Sequence, residues 1–243
     1  MPDELIPLRR VSSAQLAWVW FGVAILVAIG LSAAMLRGIF LEDLATRLEP
    51  FRQGAFQATG LADPHLAERA AEVQRLDERF PAHPTATALH LIPASAFLLL
   101  CVGQFTARIR DRYRTYHRWA GRTAVSMGLV SGLAGLYFGV AHPYAGMAER
   151  VTIITFGGFF VVALAIGLAR ARARRFAVHR EWMIRAFAAA LGISTIRLLA
   201  PFVDLALTPL GVGSEALLVT SFWIGWCVTL AAAEGWVRYT RSA

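Results

Sequence analysis

Six long apolar runs, each bounded by charged residues or prolines, divide the chain. They cover residues 11–36, 85–107, 123–140, 151–168, 182–207 and 216–237. A helix of about 20 mostly apolar residues crosses a bilayer core of about 30 Å, and these runs have roughly that length. They lack the two-residue alternation of barrel strands, and a backbone in lipid must satisfy its own hydrogen bonds, so each is predicted to be a helix. We expect an all-α polytopic integral membrane protein, in which residues 1–243 form a single membrane domain built on a six-helix transmembrane bundle.

Composition supports a membrane location. Only 16% of the residues are charged and 57% are apolar, with a mean hydropathy of +0.53, whereas soluble domains have about 25% charged residues. This composition argues against a cytosolic enzyme. The net charge of +8 is expected in the loops beside the spans and not on a nucleic-acid-binding face. Cys101 and Cys227 both lie inside apolar runs, which excludes a disulfide framework and predicts two buried thiols.

Basic residues are distributed unevenly between the two sides of the predicted bundle. The chain has no lysine; segments 1–10, 107–122, 169–185 and 238–243 hold 16 arginines in 49 residues, and segments 37–84, 141–150 and 208–215 hold 7 in 66. Basic residues near helix ends remain in the cytoplasm. We therefore predict a bacterial inner membrane protein with both termini in the cytoplasm, where the arginines contact anionic lipid headgroups.

The one long polar segment, residues 37–84, is predicted to be extracytoplasmic and helical. Asp63 followed by Pro64 is typical of a helix start, and apolar residues recur at helical spacing from Leu66 to Phe80. The segment is either a connector that rests on the headgroups or a functional lid over the bundle.

Two similar motifs precede the third and fifth spans. They read Tyr116-His117-Arg118-Trp119-Ala120-Gly121-Arg122 and Val178-His179-Arg180-Glu181-Trp182-Met183-Ile184-Arg185. The similarity indicates that spans two and three are related to spans four and five. Arginine and tryptophan at a cytoplasmic helix end are typical of headgroup anchoring. Alternatively, His117 and His179 face each other as ligands or proton carriers, with Arg118 and Arg180 holding an anion.

These motifs carry a family resemblance. Three parts of the chain resemble a family of bacterial predicted membrane proteins that is classified as a domain of unknown function. They are the stretch from His90 through Gln104, the two His-Arg motifs with Arg122 and Arg185, and Arg197. The resemblance covers roughly residues 85–202. It implies a helical membrane fold and no particular activity.

A polar cluster is predicted inside the bundle near its outer face, because ionisable groups within a span are costly and mark functional sites. His90 lies about 7.5 Å below the outer surface and Arg197 about 8 Å, from 1.5 Å of helix per residue. Asp204 follows two turns later beyond a kink expected at Pro201, and His142 borders the cluster. It is either a structural ion pair or a pocket for an anion, a metal or a cofactor carboxylate.

Glu234, near the cytoplasmic end of the last span, is predicted to pair with an arginine such as Arg122 or Arg185.

Two classes of function remain open from the sequence. One is a redox-type protein that binds a small ligand, haem b or a divalent metal and has a polar pocket near its outer face. Histidines support it, because spans two and four enter from outside near His90 and His142, and spans three and five enter from inside near His117 and His179. Spacing disfavours two haems, since His117 and His142 are 25 residues apart, about 38 Å of helix. The other is a non-catalytic accessory subunit of a membrane complex, or a transporter-like module. Signature motifs of serine hydrolases, nucleotide-binding loops and zinc proteases are absent, and whether the chain is an enzyme is left undecided.

Overall fold

A computed structural model describes residues 12–39, 78 and 80–241, and these residues are helical almost throughout. The elements are α1 Ser13–Ile39, α2 Pro84–Gln104, α3 Ala107–Arg112, α4 Arg114–Ala141, α5 Gly146–Arg172, α6 Phe176–Leu207, a 3-10 turn Thr208–Leu210, and α7 Ser214–Arg241. All of these helices except α3 are long and apolar enough to cross a membrane. The predicted all-α bundle with six spans is therefore confirmed. Most of the predicted polar segment 37–84 lies outside the described residues.

Two helices begin earlier than their apolar runs. Helix α4 starts at Arg114 and not near residue 123, and α6 starts at Phe176 and not near residue 182. No proline or glycine interrupts either extension before Gly121, so the backbone can remain helical where arginines and aromatic residues replace apolar ones. Hydropathy detects only the part of a helix that matches hydrocarbon. His117 and His179 therefore lie within the first turns of helices and not in loops.

Four helices form the centre of the bundle. Helix α2 packs along α4, α4 along α5, α5 along α6, and α6 makes a smaller contact with α2, so α4 and α6 lie diagonally opposite. Helix α7 packs along α6, and α1 lies across α2 and α6. In the apolar part of α6, 56% of the residues are buried, compared with 11% in the apolar part of α1. Helix α6 is thus the central element, and α1 is a peripheral one.

The main core lies nearer the end of the bundle at which α2 and α5 end and α4 and α6 begin. It is formed around Phe97, Ala124, Leu164 and Phe187, which are almost fully buried. A Cβ at Gly128 would lie 2.8 Å from the side chain of Leu164 and 2.9 Å from that of Phe97. A glycine here lets α4 approach its neighbours closely, as is common in membrane bundles that gain stability from close packing.

The helix ends define two faces of the bundle. The arginine-rich end contains α3, the first turns of α1, α4 and α6, and the last turns of α2, α5 and α7. The opposite end contains the first turns of α2, α5 and α7 and the last turns of α4 and α6. The side chain of Gln15 in α1 donates to the Tyr239 hydroxyl of α7 at 3.2 Å. Helix α1 therefore begins, and α7 ends, at the same face.

The two cysteines differ. Cys101 is buried in the core, as expected, whereas Cys227 is exposed on the outer side of α7. The prediction of two buried thiols is therefore wrong for Cys227. An apolar run alone does not reveal which side of a peripheral helix faces lipid.

Candidate functional site

His117 and His179 occupy equivalent positions on two helices that run in the same direction. Each is the fourth residue of its helix, and its backbone N–H donates to the residue before the helix, Tyr113 or Arg175, at 2.9 Å. The two imidazoles are close enough to interact electrostatically. The diagonal helices α4 and α6 thus bring both histidines to the arginine-rich end.

The imidazole of His179 is held in one orientation by the last turns of α5. Its Nδ1 lies 2.8 Å from the carbonyl oxygen of Gly167. A carbonyl only accepts hydrogen bonds, so Nδ1 carries the hydrogen, and in the neutral ring Nε2 keeps its lone pair. Histidines that bind metals commonly donate their other nitrogen to a backbone carbonyl in this way. The contact with Gly167 therefore fixes the orientation of the His179 ring.

Two polar atoms near His117 have no hydrogen-bond partner among the described residues. They are Nδ1 of His117 and Nε2 of Gln104, and both are buried. Gln104, the last residue of α2, lies over Gly121, where a Cβ would come within 2.9 Å of its Oε1. Buried polar groups are normally satisfied, so these two atoms mark a place where a ligand is expected. The sequence did not identify Gln104 as a site residue, although a glycine one turn after His117 is a signal of close approach.

Arginines surround the histidines. Arg110 of α3 lies close enough to interact electrostatically with both His117 and Arg180. The half-buried Arg180 donates to the Thr240 hydroxyl of α7 at 3.1 Å. Arg110 also pairs with Asp111 at the exposed surface, at 3.1 Å. The surroundings of the histidine pair therefore contain the cations Arg110 and Arg180, together with the carboxylates of Asp111 and Glu181.

The two motifs also share a cation–π pair. The guanidinium of Arg122 lies 5.1 Å from the ring centre of Trp119, and that of Arg185 lies 5.1 Å from Trp182. Each pair has the spacing of one helical turn, which supports the interpretation of a repeat. Arg118 and Arg122 are exposed, in contrast to the half-buried Arg180.

Arg185 belongs to a charge network that joins α6 to α7. Its Nη2 lies 2.8 Å from Glu234, which also binds Arg238 at 3.0 Å. Glu181 extends the network to Arg185 and to Arg241. The predicted pairing of Glu234 with Arg185 is confirmed. Arg185 is therefore satisfied within the protein and has a structural role.

At the opposite end, His90 is tied to α4. Its Nδ1 lies 3.0 Å from the carbonyl oxygen of Ser131, and the Ser131 hydroxyl donates to the His90 carbonyl at 2.9 Å. Arg197 donates to the Ile193 carbonyl of its own helix at 3.2 Å, and Asp204 is half-buried. That His90, Arg197 and Asp204 form one cluster stays a prediction.

His142 ends α4 and stacks on His83, which precedes α2. The two ring centres are 3.6 Å apart, with an angle of 25° between the planes. The described residues contain no group of three or more histidine, cysteine or acidic side chains arranged to hold a metal ion.

Residues 87–237 match a family described as predicted membrane protein (DUF2306). The chain belongs to this family. No curated protein and no solved structure is detectably similar to it. The DUF2306 match begins within α2 and includes both histidines of the arginine-rich end, whereas α1, His83 and the polar segment lie before it. Because the function of DUF2306 is unknown, function has to be argued from the geometry.

Proposed function

We propose that this membrane protein is of the redox type and that His117 and His179, at its arginine-rich end, would hold one haem b. The observation that carries the proposal is the pairing of these two imidazoles, from equivalent positions of α4 and α6, in an arginine-rich surrounding. Histidine is a common axial ligand of haem, and sites in helical bundles are often built from side chains on facing helices.

The positive charge favours haem over a bare divalent metal. Arg110 and Arg180 lie beside the histidines, and they repel a free cation. Haem carries two propionates as well as its iron, and arginine pairs well with carboxylates. A ligand that offers both a metal and anionic groups therefore matches both parts of the site.

The other residues present also suit haem. Apolar side chains lie inward of the histidines, where Phe105 packs against Phe187 with ring centres 5.3 Å apart and Met183 packs against Gly167. The buried amide of Gln104 has a donor without a partner, which would be satisfied by a propionate oxygen. Bound haem would supply one-electron chemistry. The chain would orient the imidazoles, exclude water on the inner side and compensate the propionate charge.

The test is the haem content of the intact protein, purified in detergent from cells supplied with a haem precursor and measured as the pyridine haemochromogen. We expect about one haem per chain in the wild type, as one pair of axial ligands allows. His117→Ala and His179→Ala should each lose most of it. The matched control is the double variant His83→Ala/His142→Ala, which removes two histidines at the opposite end and should retain haem.

Either of two results would overturn the proposal. One is a wild-type protein that carries no haem and takes up none when haem is added. The other is a haem content in His117→Ala and His179→Ala that equals that of the wild type. Size-exclusion chromatography of each variant shows whether a loss of haem reflects a loss of folding.

We further propose that the arginine-rich end faces the cytoplasm of a bacterial inner membrane. Support comes from the arginine asymmetry between loops. The exposed rings of Tyr113, Tyr116 and Trp119 at this end suit an interface with anionic headgroups. Reporter fusions at the C-terminus and within residues 40–77 test the orientation, and an exported C-terminus would contradict it.

A further inference from the structure

The junction between α3 and α4 forms an open cleft at the arginine-rich end. Tyr113, the single residue between the two helices, has a non-helical backbone with φ −118° and ψ 57°, so the chain bends there. Its N–H donates to the Ile109 carbonyl at 3.0 Å, and its own carbonyl accepts from the N–H of His117 at 2.9 Å. The bend borders a cleft of about 500 Å³, which is lined by Asp111, Arg112, Tyr113, Arg114, Thr115 and Tyr116.

One side of α3 packs on the bundle, and the other side faces outward. Ile109 is half-buried, and its Cδ1 lies 3.6 Å from the position that a Cβ would take at Gly103 of α2. Arg110, Asp111 and Arg112 are exposed. Helix α3 is therefore a short surface helix that rests on the end of α2 and presents charged side chains outward, beside the cleft.

The side chains that line the cleft suit an anion. Arg112 and Arg114 contribute two exposed guanidinium groups, each with a fork of N–H donors that matches the oxygens of a phosphate. The carboxylate of Asp111 lies 3.1 Å from Nε of Arg110, so this pair adds no net charge. The hydroxyls of Thr115 and of the two tyrosines can donate further hydrogen bonds. The cleft therefore combines positive charge with donors for phosphate oxygens.

Aromatic rings indicate that the cleft lies at the level of the lipid headgroups. Tyr113, Tyr116 and Trp119 follow each other at intervals of three residues, and each is more than half exposed. Tyrosine and tryptophan are enriched where a membrane meets water. Beyond these rings α4 continues as one of the helices that are long and apolar enough to cross a membrane. A lipid phosphate is therefore the anion closest at hand, with its acyl chains beside α4.

We propose that the cleft between α3 and α4 holds the phosphate of one anionic phospholipid, bound by the guanidinium groups of Arg112 and Arg114. This is a defined site for one lipid, in addition to the general attraction between arginines and headgroups, and it does not depend on bound haem. The turn between α5 and α6 provides the comparison. Arg172 and Arg174 have the same spacing there and are also exposed, but they do not line this cleft.

The experiment titrates the full chain in an uncharged detergent with phosphatidylglycerol, or with the zwitterionic phosphatidylcholine, and counts bound lipids by native mass spectrometry. We expect one phosphatidylglycerol to bind tightly and phosphatidylcholine to bind more weakly. Arg112→Gln/Arg114→Gln should weaken phosphatidylglycerol binding about thirtyfold, because each basic residue near an anionic lipid contributes about fivefold. The matched control Arg172→Gln/Arg174→Gln loses the same charge and should bind within about twofold of the wild type. All four arginines are exposed, so both variants should fold, which size-exclusion chromatography checks.

A second variant separates a defined site from diffuse charge attraction. Arg112→Lys/Arg114→Lys keeps both charges but loses the guanidinium forks that bind phosphate through two parallel hydrogen bonds, so it should also bind the lipid more weakly than the wild type. Inorganic phosphate in large excess should not displace the lipid, because it has no acyl chains to hold it beside the cleft.

Four results would each overturn the proposal. They are equal binding of the two lipids, equal losses in the two glutamine variants, wild-type binding by the lysine variant, and displacement of the lipid by inorganic phosphate.

Discussion

The two ends of the bundle each bring a pair of histidines together, but they surround the pairs differently. His117 and His179 come from diagonal helices and lie among arginines, with buried polar atoms that have no partner among the described residues. His83 and His142 stack on each other against aromatic rings. The same side chain is thus placed in a cationic polar setting at one end and an apolar, nearly uncharged setting at the other. The two histidine pairs therefore differ in their surroundings and not in their side chains.

Helix direction strengthens the contrast. His117 and His179 lie in the first turns of α4 and α6, where the N-terminal ends of the helix dipoles add positive potential. His142 lies at the C-terminal end of α4, where the potential is negative. The helix dipoles therefore add to the positive charge at the arginine-rich end and give the opposite end of α4 the other sign.

The largest expected effect is a loss of haem that is confined to changes at one end. The double variant His117→Ala/His179→Ala should lose nearly all haem, whereas His83→Ala/His142→Ala should retain it. Haem quantification of both variants, with size-exclusion chromatography to compare their folding, measures the difference. Equal haem losses in the two folded variants would show that the arginine-rich end is not the haem site.

A smaller effect is expected from the charge around the first pair. Arg180→Gln removes a half-buried guanidinium close to Arg110. A hydrogen bond to a charged group contributes about 1.5–3 kcal/mol, so haem affinity should fall about tenfold or more. Titration of the apoprotein with haem, followed by absorbance, measures the affinity.

Arg112→Gln is the control for this prediction, because Arg112 is exposed in α3 and its loss should change the affinity little. Equal affinities for Arg180→Gln and the wild type would show that the cationic surroundings do not select the ligand.

The sequence predicts the helices of both ends and the approach of His117 to His179, but not the other contacts at the two ends. Hydropathy locates six spans, arginine counts group the helix ends, and the repeated His-Arg motif indicates equivalent positions on two helices. The diagonal arrangement of α4 and α6 follows from how four helices pack, and no short motif encodes it. The position of Gln104 over Gly121 depends on the turn between α2 and α4. The contact of His83 with His142 joins two helix ends that are 59 positions apart, and it requires the whole packed length of α2 against α4.

A change in stability tests whether Arg185 is structural or part of the cationic surroundings. Glu234→Gln leaves the guanidinium of Arg185, which is only 18% exposed, with a neutral partner in place of a carboxylate. The cost should be about 1.5–3 kcal/mol at most. Thermal unfolding in detergent should show a lower midpoint for Glu234→Gln than for the wild type. The double variant Arg185→Leu/Glu234→Leu should recover part of the loss, because Glu181 keeps Arg241 as a partner and the Arg238 that loses Glu234 is exposed to solvent, so no half-buried charge is left unpaired. No recovery would mean that the pair is not coupled.

The smallest effects come from two glycines of α4, one near each end. A Cβ at Gly121 would lie 2.9 Å from Oε1 of Gln104, the tip of a flexible side chain. Alanine has a helix propensity about 1 kcal/mol better than glycine. This gain should offset the small cost of moving the Gln104 side chain, so Gly121→Ala should leave stability almost unchanged. A Cβ at Gly135 would lie 2.9 Å from the imidazole of His90, which Ser131 holds in place. Gly135→Ala should therefore destabilise by about 1–3 kcal/mol through overpacking. Thermal unfolding of both variants measures the difference, and a larger loss for Gly121→Ala would contradict this order.

The most direct measurement is the visible spectrum of the haem-loaded protein with each proposed axial ligand removed and then replaced from solution. His117→Gly and His179→Gly each leave a space of the size of an imidazole ring. Each variant should lose the low-spin spectrum of a haem with two histidine ligands and regain it when imidazole is added. If both variants keep the wild-type spectrum, or if imidazole restores neither, then His117 and His179 do not hold the haem.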